Sequence, residues 1–486
     1  MLKKIAISLG LLLTLNTYSQ EELITFKNTL KTSTSFLKDV LPIVNQKNDD
    51  ISLFLVDAKY IYGYLLNDKF EITSQLKSED RSRMFKTIIG HSIKNNNEYR
   101  IFLTNKRHDK FSTINFSYGT NESTIKEFEL DKENEKFVQS VSIQNKFYLI
   151  SIIKYTSIFK VYSFDDDGNH SINIVDFAIN NFIDKKEKMV VLYDLMPGLY
   201  STNTLIDIKK IDEKTPSSIE IASEFVKLYI RNNDVIFSFD QNSNTTQTLT
   251  FNLNTFEKKV NQFTKPLELT NSNQKKTNSF ISEDNIFLIA STDDELIFRA
   301  QNFESGNLVK EYSVNANDTI YFKNSPIIQE GGAYDSYREM DKTKKFLRKI
   351  TSGDIGVSVN SYTNGYKIVL GGKKEIRRGG GGMMPMGFGM PMASFGVVSV
   401  FFNPVNFAYN SYVNTKSTYI NCLFDHNLNH IEGDFPKNEF DKIKEFNQED
   451  RFTSQIGETV FKHKNYFIKG VYFSESEEYR LRKFSN

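Results

Sequence analysis

What most constrains this chain is a repeated run of short strands. Four stretches each hold four segments in which β-branched and aromatic residues alternate with polar ones, with Asn, Asp, Gly or Lys at the breaks. The first runs Ile88–Ile93, Glu98–Asn105, Lys110–Tyr118 and Ser123–Leu130. The second runs Val138–Ile143, Lys146–Ile153, Ile158–Asp165 and His170–Phe177. The third runs Val226–Asn232, Asp234–Gln241, Thr246–Asn254 and Phe256–Phe263; the fourth runs Ser279–Glu283, Asn285–Thr292, Glu295–Glu304 and Asn307–Val314. A four-stranded antiparallel unit of about 40 residues cannot bury both of its faces alone, so such units stack around an axis.

The third-to-fourth hairpin repeats in sequence as well. Phe164-Asp165-Asp166-Asp167-Gly168-Asn169-His170 stands beside Phe424-Asp425-His426-Asn427-Leu428-Asn429-His430, with Phe303-Glu304-Ser305-Gly306-Asn307 a looser relative. Asn and Gly tolerate positive φ and suit tight turns. This layout resembles a β-propeller over residues 51–486, which implies an all-β fold of about seven four-stranded blades, six to eight in range. The sequence lacks tryptophan, and with it the Trp-Asp dipeptide of the best-known propeller family. The stretch 184–222 is ambiguous. Residues 51–76 and 455–486 read as partial sheets, and pairing of N-terminal with C-terminal strands closes the ring and removes edges. Residues 20–50 read as an N-terminal segment with a short helix over Ser35–Gln46, broken by Pro42. Two β-sandwiches are the rival layout; they would call for a linker that the sequence does not show.

Residues 1–19 read as a signal peptide. Lys3 and Lys4 precede the apolar run Ile5–Leu15, and Thr17 and Ser19 are small residues before Gln20. Tyr18-Ser19-Gln20 and a Lys-, Asn- and Ile-rich composition resemble exported proteins of Gram-negative bacteria. The expected location is periplasmic, at the outer membrane through a partner. Cys422 is the one cysteine, so no intramolecular disulfide forms. Lys+Arg 61 against Asp+Glu 60 removes the bulk charge that non-specific nucleic-acid binding needs.

One segment breaks the pattern. From Gly379 to Thr415 no Asp, Glu, Lys or Arg occurs in a chain that is 25% charged. Residues 379–396 read GGGGMMPMGFGMPMASFG and hold five of the ten methionines, just after Lys373, Lys374, Arg377 and Arg378. Glycines with Pro385 and Pro391 forbid helix and regular strand, leaving an apolar loop. Burying it on its own surface would gain about what ordering it costs. Methionine fills irregular apolar pockets, so the expected partner-binding residues are Arg377, Arg378, Met383, Met384, Met386, Phe388, Met390, Met392 and Phe395. Gly396–Asn403 and Phe407–Val413 read as strand.

Catalytic and metal motifs do not emerge. His-Glu-x-x-His, Gly-x-Ser-x-Gly and the phosphate loop are missing, and Gly372-Lys373 lacks the required spacing. Cys422, His426 and His430 would share a helical face, but their surroundings read as strand and turn. Asp165–Asn169 offers oxygens without a distal Glu and reads as a solvated turn. Ser35-x-x-Lys38 stands without its companion motifs. No cofactor, metal or catalytic residue is expected. The expectation is therefore a non-catalytic periplasmic propeller that binds protein, an accessory of an outer-membrane protein export complex. In general character it is similar to the periplasmic plug subunit of the type 9 secretion translocon. The alternative is a propeller hydrolase or lyase with its site at the central funnel.

Overall fold

The computed structural model describes residues 20–197, 208–267, 275–331, 337–374, 403–414, 417–449 and 455–485. Strand β1 (Gln20–Lys27) is followed by three four-stranded antiparallel sheets. They are β2 (Asp39–Val44), β3 (Ile51–Val56), β4 (Ile61–Leu66) and β5 (Ile72–Lys77); β6 (Thr87–Lys94), β7 (Glu98–Thr104), β8 (Phe111–Ser117) and β9 (Glu122–Phe128); β10 (Glu135–Ile143), β11 (Lys146–Ile153), β12 (Ile158–Phe164) and β13 (His170–Asp176). A hairpin of β14 (Phe182–Ile183) and β15 (Met189–Val190) comes next, then helix α1 (Leu192–Leu195), strand β16 (Lys209–Ile211) and helix α2 (Ile219–Ala222). The pattern resumes with β17 (Val226–Arg231), β18 (Asp234–Phe239), β19 (Thr245–Asn252) and β20 (Lys258–Thr264), and again with β21 (Lys276–Ser282), β22 (Asn285–Ser291), β23 (Glu295–Asn302) and β24 (Leu308–Asn315). Then come β25 (Ile327–Glu330), β26 (Arg338–Met340), α3 (Thr343–Thr351), β27 (Asp354–Tyr362), β28 (Gly365–Lys373), α4 (Pro404–Asn414) and β29 (Ser417–Phe424). The chain ends with α5 (Glu439–Glu449), β30 (Gln455–His463), β31 (Tyr466–Phe473) and β32 (Glu478–Phe484).

Among the described residues seven sheets of four or five strands result, and the fold is a β-propeller. Two blades belong to one compact unit, residues up to Lys77 with Lys437–Asn486, and five to the other, Ser78–Pro436. Burial runs across each blade as a propeller requires. First strands such as β2, β6 and β21 are almost wholly buried, whereas the last strands β9, β13, β20 and β24 are mostly exposed and β5 is half-buried to exposed at all but one residue. First strands of successive blades also meet directly. His91 N–H donates to Ser142 Oγ at 2.8 Å, Ile93 N–H donates to the Asn145 carbonyl at 2.9 Å, and Ser140 Oγ donates to the Ile89 carbonyl. Between the β6–β9 and β10–β13 blades the core is aromatic, with Phe102 stacked on Phe147 at 3.9 Å and Phe164 edge-on to Phe102.

Closure joins the two ends of the chain: β1 pairs antiparallel with β32 in the order β1-β32-β31-β30. The strand that closes is Gln20–Lys27, not part of 51–76, so the propeller begins before residue 51. The helix expected over Ser35–Gln46 is instead the strand β2. Pro42 is accommodated because β2 is an edge of its sheet, where a missing N–H breaks no ladder bond. The strand expected over Phe407–Val413 is helix α4. Pro404 takes the first helical position, and Asn403 Oδ1 accepts the Asn406 N–H at 3.0 Å. This capping overrides the strand propensity of Phe, Tyr and Val. Among the described residues no helix is long and apolar enough to cross a membrane.

The repeated hairpin motif has a local and a long-range role. Asp165 Oδ1 accepts the N–H groups of Asp167 and Asn169, and Asp425 Oδ1 those of Asn427 and Asn429. Gly168 at φ 85° and Leu428 at φ 59° fill the same left-handed position. Each turn is then held by the preceding blade. Arg100 on β7 donates to the carbonyls of Asp165 and Asp166 at 3.1 and 2.9 Å, and Tyr312 on β24 donates to the Leu428 carbonyl at 2.7 Å. Asn261 on β20 does the same to the Phe303 carbonyl at 3.1 Å. Charged donors on carbonyls are worth about 1.5–3 kcal/mol when buried. Arg100 is only half-buried, so Arg100→Ala is expected to cost about 1–2 kcal/mol in urea unfolding, and Arg100→Lys to recover only part of that, since an ammonium cannot keep both carbonyl bonds and the bond from Nε to Asn115 Oδ1.

Candidate functional site

In the sixth sheet β28 and β29 are direct neighbours, with Lys373 opposite Ser417 and Tyr366 opposite Phe424. Elsewhere the second and third strands of a blade are joined by short turns, as between Val56 and Ile61 or Ser291 and Glu295. Here the connection is residues 374–416, and the charge-free segment lies within it. The register places its departure at the end of the sheet opposite the Asp425 turn. The expected contact residues Arg377, Arg378, Met383, Met384, Met386, Phe388, Met390, Met392 and Phe395 lie outside the described residues, as do residues 1–19.

The flanks of the segment are anchored. Lys373 Nζ pairs with Glu224 Oε1 at 2.8 Å. Burial opposes the Lys373 charge, but Glu224, Glu220 and Asp354 outweigh it and hold the ammonium above its ordinary value. On the returning side, α4 buries Val405, Ala408 and Tyr409. Its Ser411 Oγ lies 2.6 Å from Ser218 Oγ at the start of α2, and Lys209 of β16 sits 5.0 Å from the Phe407 ring centre. The strand β16 itself pairs parallel with β17, a fifth strand within the ambiguous 184–222 stretch.

Beside these anchors lies a buried ionic network. Lys227 Nζ is 3.0 Å from Asp240 Oδ2, and Lys265 Nζ is 3.2 Å from Asp240 Oδ1, with all three side chains fully buried. Thr246 and Ser279 donate to the same carboxylate at 2.7 and 2.8 Å. Lys227 also donates to Asn278 Oδ1 at 2.7 Å, and Asn278 Nδ2 donates to the Ser223 and Ile355 carbonyls. Burial alone would raise the Asp240 carboxyl, but Lys227 and Lys265 reverse that and hold it far below the usual range. Burial lowers Lys265, with Asp240 opposing. Each charge has its partners, so the network joins three blades (β17–β20, β21–β24 and β27–β29) and offers no group to a substrate. One signal for it stood in the sequence, a lysine within the apolar run Val226-Lys227-Leu228-Tyr229-Ile230.

An open cleft of about 670 Å³ lies on the β10–β13 blade, lined by Asp131, Glu133, Asn134, Lys154 and Lys160. Under it Glu135 is buried and accepts from Ser151, Lys160 and Tyr162, the last at 2.9 Å. Burial and the Glu135 carboxylate raise the Tyr162 phenol. Lys132 donates to the His108 carbonyl; burial lowers its ammonium to about 8 against the pull of Glu135 and Asp109. Near the first strands, burial brings Lys210 down to about 7, and burial with the Lys210 charge brings His91 to about 3. No sequence motif marks these groups.

The residues singled out for chemistry do not converge. Cys422 is buried in β29, where burial raises its thiol. His426 Nε2 lies 3.2 Å from the Thr363 carbonyl, and His430 Nε2 lies 3.1 Å from Asn324 Oδ1. The expected hairpin after Phe424 forms its turn and a single bridge to His430, but β25 takes the place beside β29. Ser35 and Lys38 fall between β1 and β2, in the other unit. Among the described residues no group of three or more His, Cys, Asp or Glu is placed to hold a metal ion.

No family model and no curated protein matches this chain. Among solved structures, the Dos1 propeller is similar over 96% of this chain and 95% of that one, at 10% identity and a TM-score of 0.35. The AofleA protein from Arthrobotrys oligospora is similar over 75% and 86%, at 8% identity and a TM-score of 0.24. Dihydro-heme d1 dehydrogenase NirN, solved in complex with DHE, is similar over 60% of this chain at 8% identity and a TM-score of 0.28, and this chain spans 50% of its length.

Proposed function

We propose that this chain is a non-catalytic, exported propeller that binds another protein through residues 379–396, as an accessory of an outer-membrane protein export complex. The observation that carries the reading is the Met-rich, charge-free insertion between the paired strands β28 and β29. A neighbouring pair of strands needs only a short turn, so joining β28 to β29 does not itself call for the length and apolar composition of residues 379–396. Methionines and phenylalanines among glycines suit an apolar socket supplied by a partner. Export is supported by the order of charge, apolar run and small residues in 1–19.

The test is affinity isolation of the tagged chain from solubilised envelope, with quantitative mass spectrometry. The expected result is a partner enriched by the intact chain and lost on deleting residues 379–396, with the deletion variant keeping the circular dichroism and melting temperature of the parent. Recovery of every partner by the deletion variant overturns the role of the segment.

A further inference from the structure

The last strand of each of these blades is a sheet edge, with one row of backbone groups beyond the ladder. Charged side chains keep such an edge from pairing with another chain. β9 carries Glu122, Lys126 and Glu127, β20 carries Lys258 and Lys259, and β24 carries Lys310 and Glu311. β13 reads His170-Ser171-Ile172-Asn173-Ile174-Val175-Asp176, without Lys, Arg or Glu. Its Ile172 and Ile174 are 45% and 52% exposed.

The ladder sets which backbone groups face outward. Phe177 N–H donates to the Ser157 carbonyl and Asp165 N–H to the Asn169 carbonyl, both at 2.9 Å, in the register that pairs Ile158 with Asp176 and Phe164 with His170. By alternation the N–H and C=O of Ser171, Asn173 and Val175 turn to β12, and those of His170, Ile172, Ile174 and Asp176 turn away from it. At the far end Lys258 Nζ donates to the Asp176 carbonyl.

We propose that β13 pairs antiparallel with β13 of a second copy of this chain, about a two-fold axis at Asn173. The outward row then meets its own image: Ile172 exchanges backbone bonds with Ile174 of the second copy, and Ile174 with its Ile172. On one face of that pair the exposed isoleucines lie side by side, since His170, Ile172, Ile174 and Asp176 all project the same way. At each end the His170 imidazole of one copy faces the Asp176 carboxylate of the other, a donor opposite an acceptor. This self-complementarity is what an isologous contact needs. The same operation on β20 would instead bring the Lys258-Lys259 pair of each copy onto the edge of the other sheet. Its small area makes the contact weak, with a dissociation constant of about 10 µM to 1 mM.

The register gives a specific test. In a non-hydrogen-bonded antiparallel pair the two Cα atoms are about 4.5 Å apart, within disulfide reach. Asn173→Cys is therefore expected to form a covalent dimer under mild oxidation at about 100 µM protein, whereas Ser171→Cys, well away from its own copy, is not. Cys422 is buried and does not compete. Sedimentation equilibrium of the parent chain is expected to show a monomer–dimer equilibrium that Ile174→Lys weakens at least about tenfold. A chain that stays monomeric at about 1 mM, a dimer that Ile174→Lys leaves intact, or crosslinking as fast at 171 as at 173 each overturns the proposal. Occupation of this edge by a strand of a different protein, without self-association, overturns it as well.

Discussion

Asp240→Ala is expected to lower the stability of the Ser78–Pro436 unit by about 3–5 kcal/mol, because it leaves two ammonium groups buried without their anion. Lys227 and Lys265 are both fully buried, and Asp240 is the carboxylate that both touch. Asp240→Asn keeps the shape but not the charge, and is expected to lose nearly as much. Replacing the three together by apolar residues of similar volume is expected to cost far less than Asp240→Ala alone, since the desolvation penalty leaves with the charges. Urea unfolding followed by circular dichroism and tyrosine fluorescence measures this, the chain having no tryptophan. The pH dependence has a definite sign. Burial tends to raise the Asp240 carboxyl, but the two lysines outweigh it, so its folded value lies below the unfolded value of about 3.9. Its contribution is therefore complete above that value and is lost as pH falls below it. In Asp240→Asn the acid limb of the stability curve is expected to flatten; an unchanged limb would show that other carboxylates set it.

Gly90→Ala is expected to cost about 2–3 kcal/mol, the upper part of the range for overfilling a packed core. A Cβ at Gly90 would stand 2.4 Å from Phe147 Cε2 and 2.7 Å from Ser142 Oγ. Neither neighbour is free to give way. Phe147 stacks on Phe102 at 3.9 Å and touches Phe164, and Ser142 Oγ accepts the His91 N–H. The glycine here is a matter of close approach between two blades, since its φ is not in the left-handed region. The pair should couple: Gly90→Ala with Phe147→Leu is expected to lose less than the two single losses added together, by about 1 kcal/mol or more. Strict additivity in thermal or urea unfolding would show that the ring does not press on residue 90.

The blades were readable from local rules. Alternation of side chains along strands and the turn chemistry of Asn and Asp act within a few residues, and both mark the hairpins directly. Gln144 and Asn145, the two residues between the paired Ile143 and Lys146, both hold positive φ, the conformation that a two-residue hairpin turn needs. The repeated Asp165 and Asp425 motifs proved to be one turn made twice. The local reading misled at two places: at Pro42 it could not see that β2 is a sheet edge, and at Asn403-Pro404 helix capping was stronger than the strand-like composition that follows.

The candidate site was legible only as an anomaly of composition. That residues 379–396 fall between two strands paired through Lys373 and Ser417 is a property of the β28–β29 ladder, and no single-chain pattern carries it. By itself the sequence determined the strand units, their turns and the charge-free segment, because each depends on neighbours a few residues apart. The tertiary structure alone decided that β1 closes on β32, that β25 rather than the chain after Phe424 lies beside β29, and that Lys227, Asp240, Lys265 and Asn278 share one buried network. Those choices depend on which distant surfaces meet, and the free energy that makes them, from burial and the pairing of buried charge, exists only once the blades are packed.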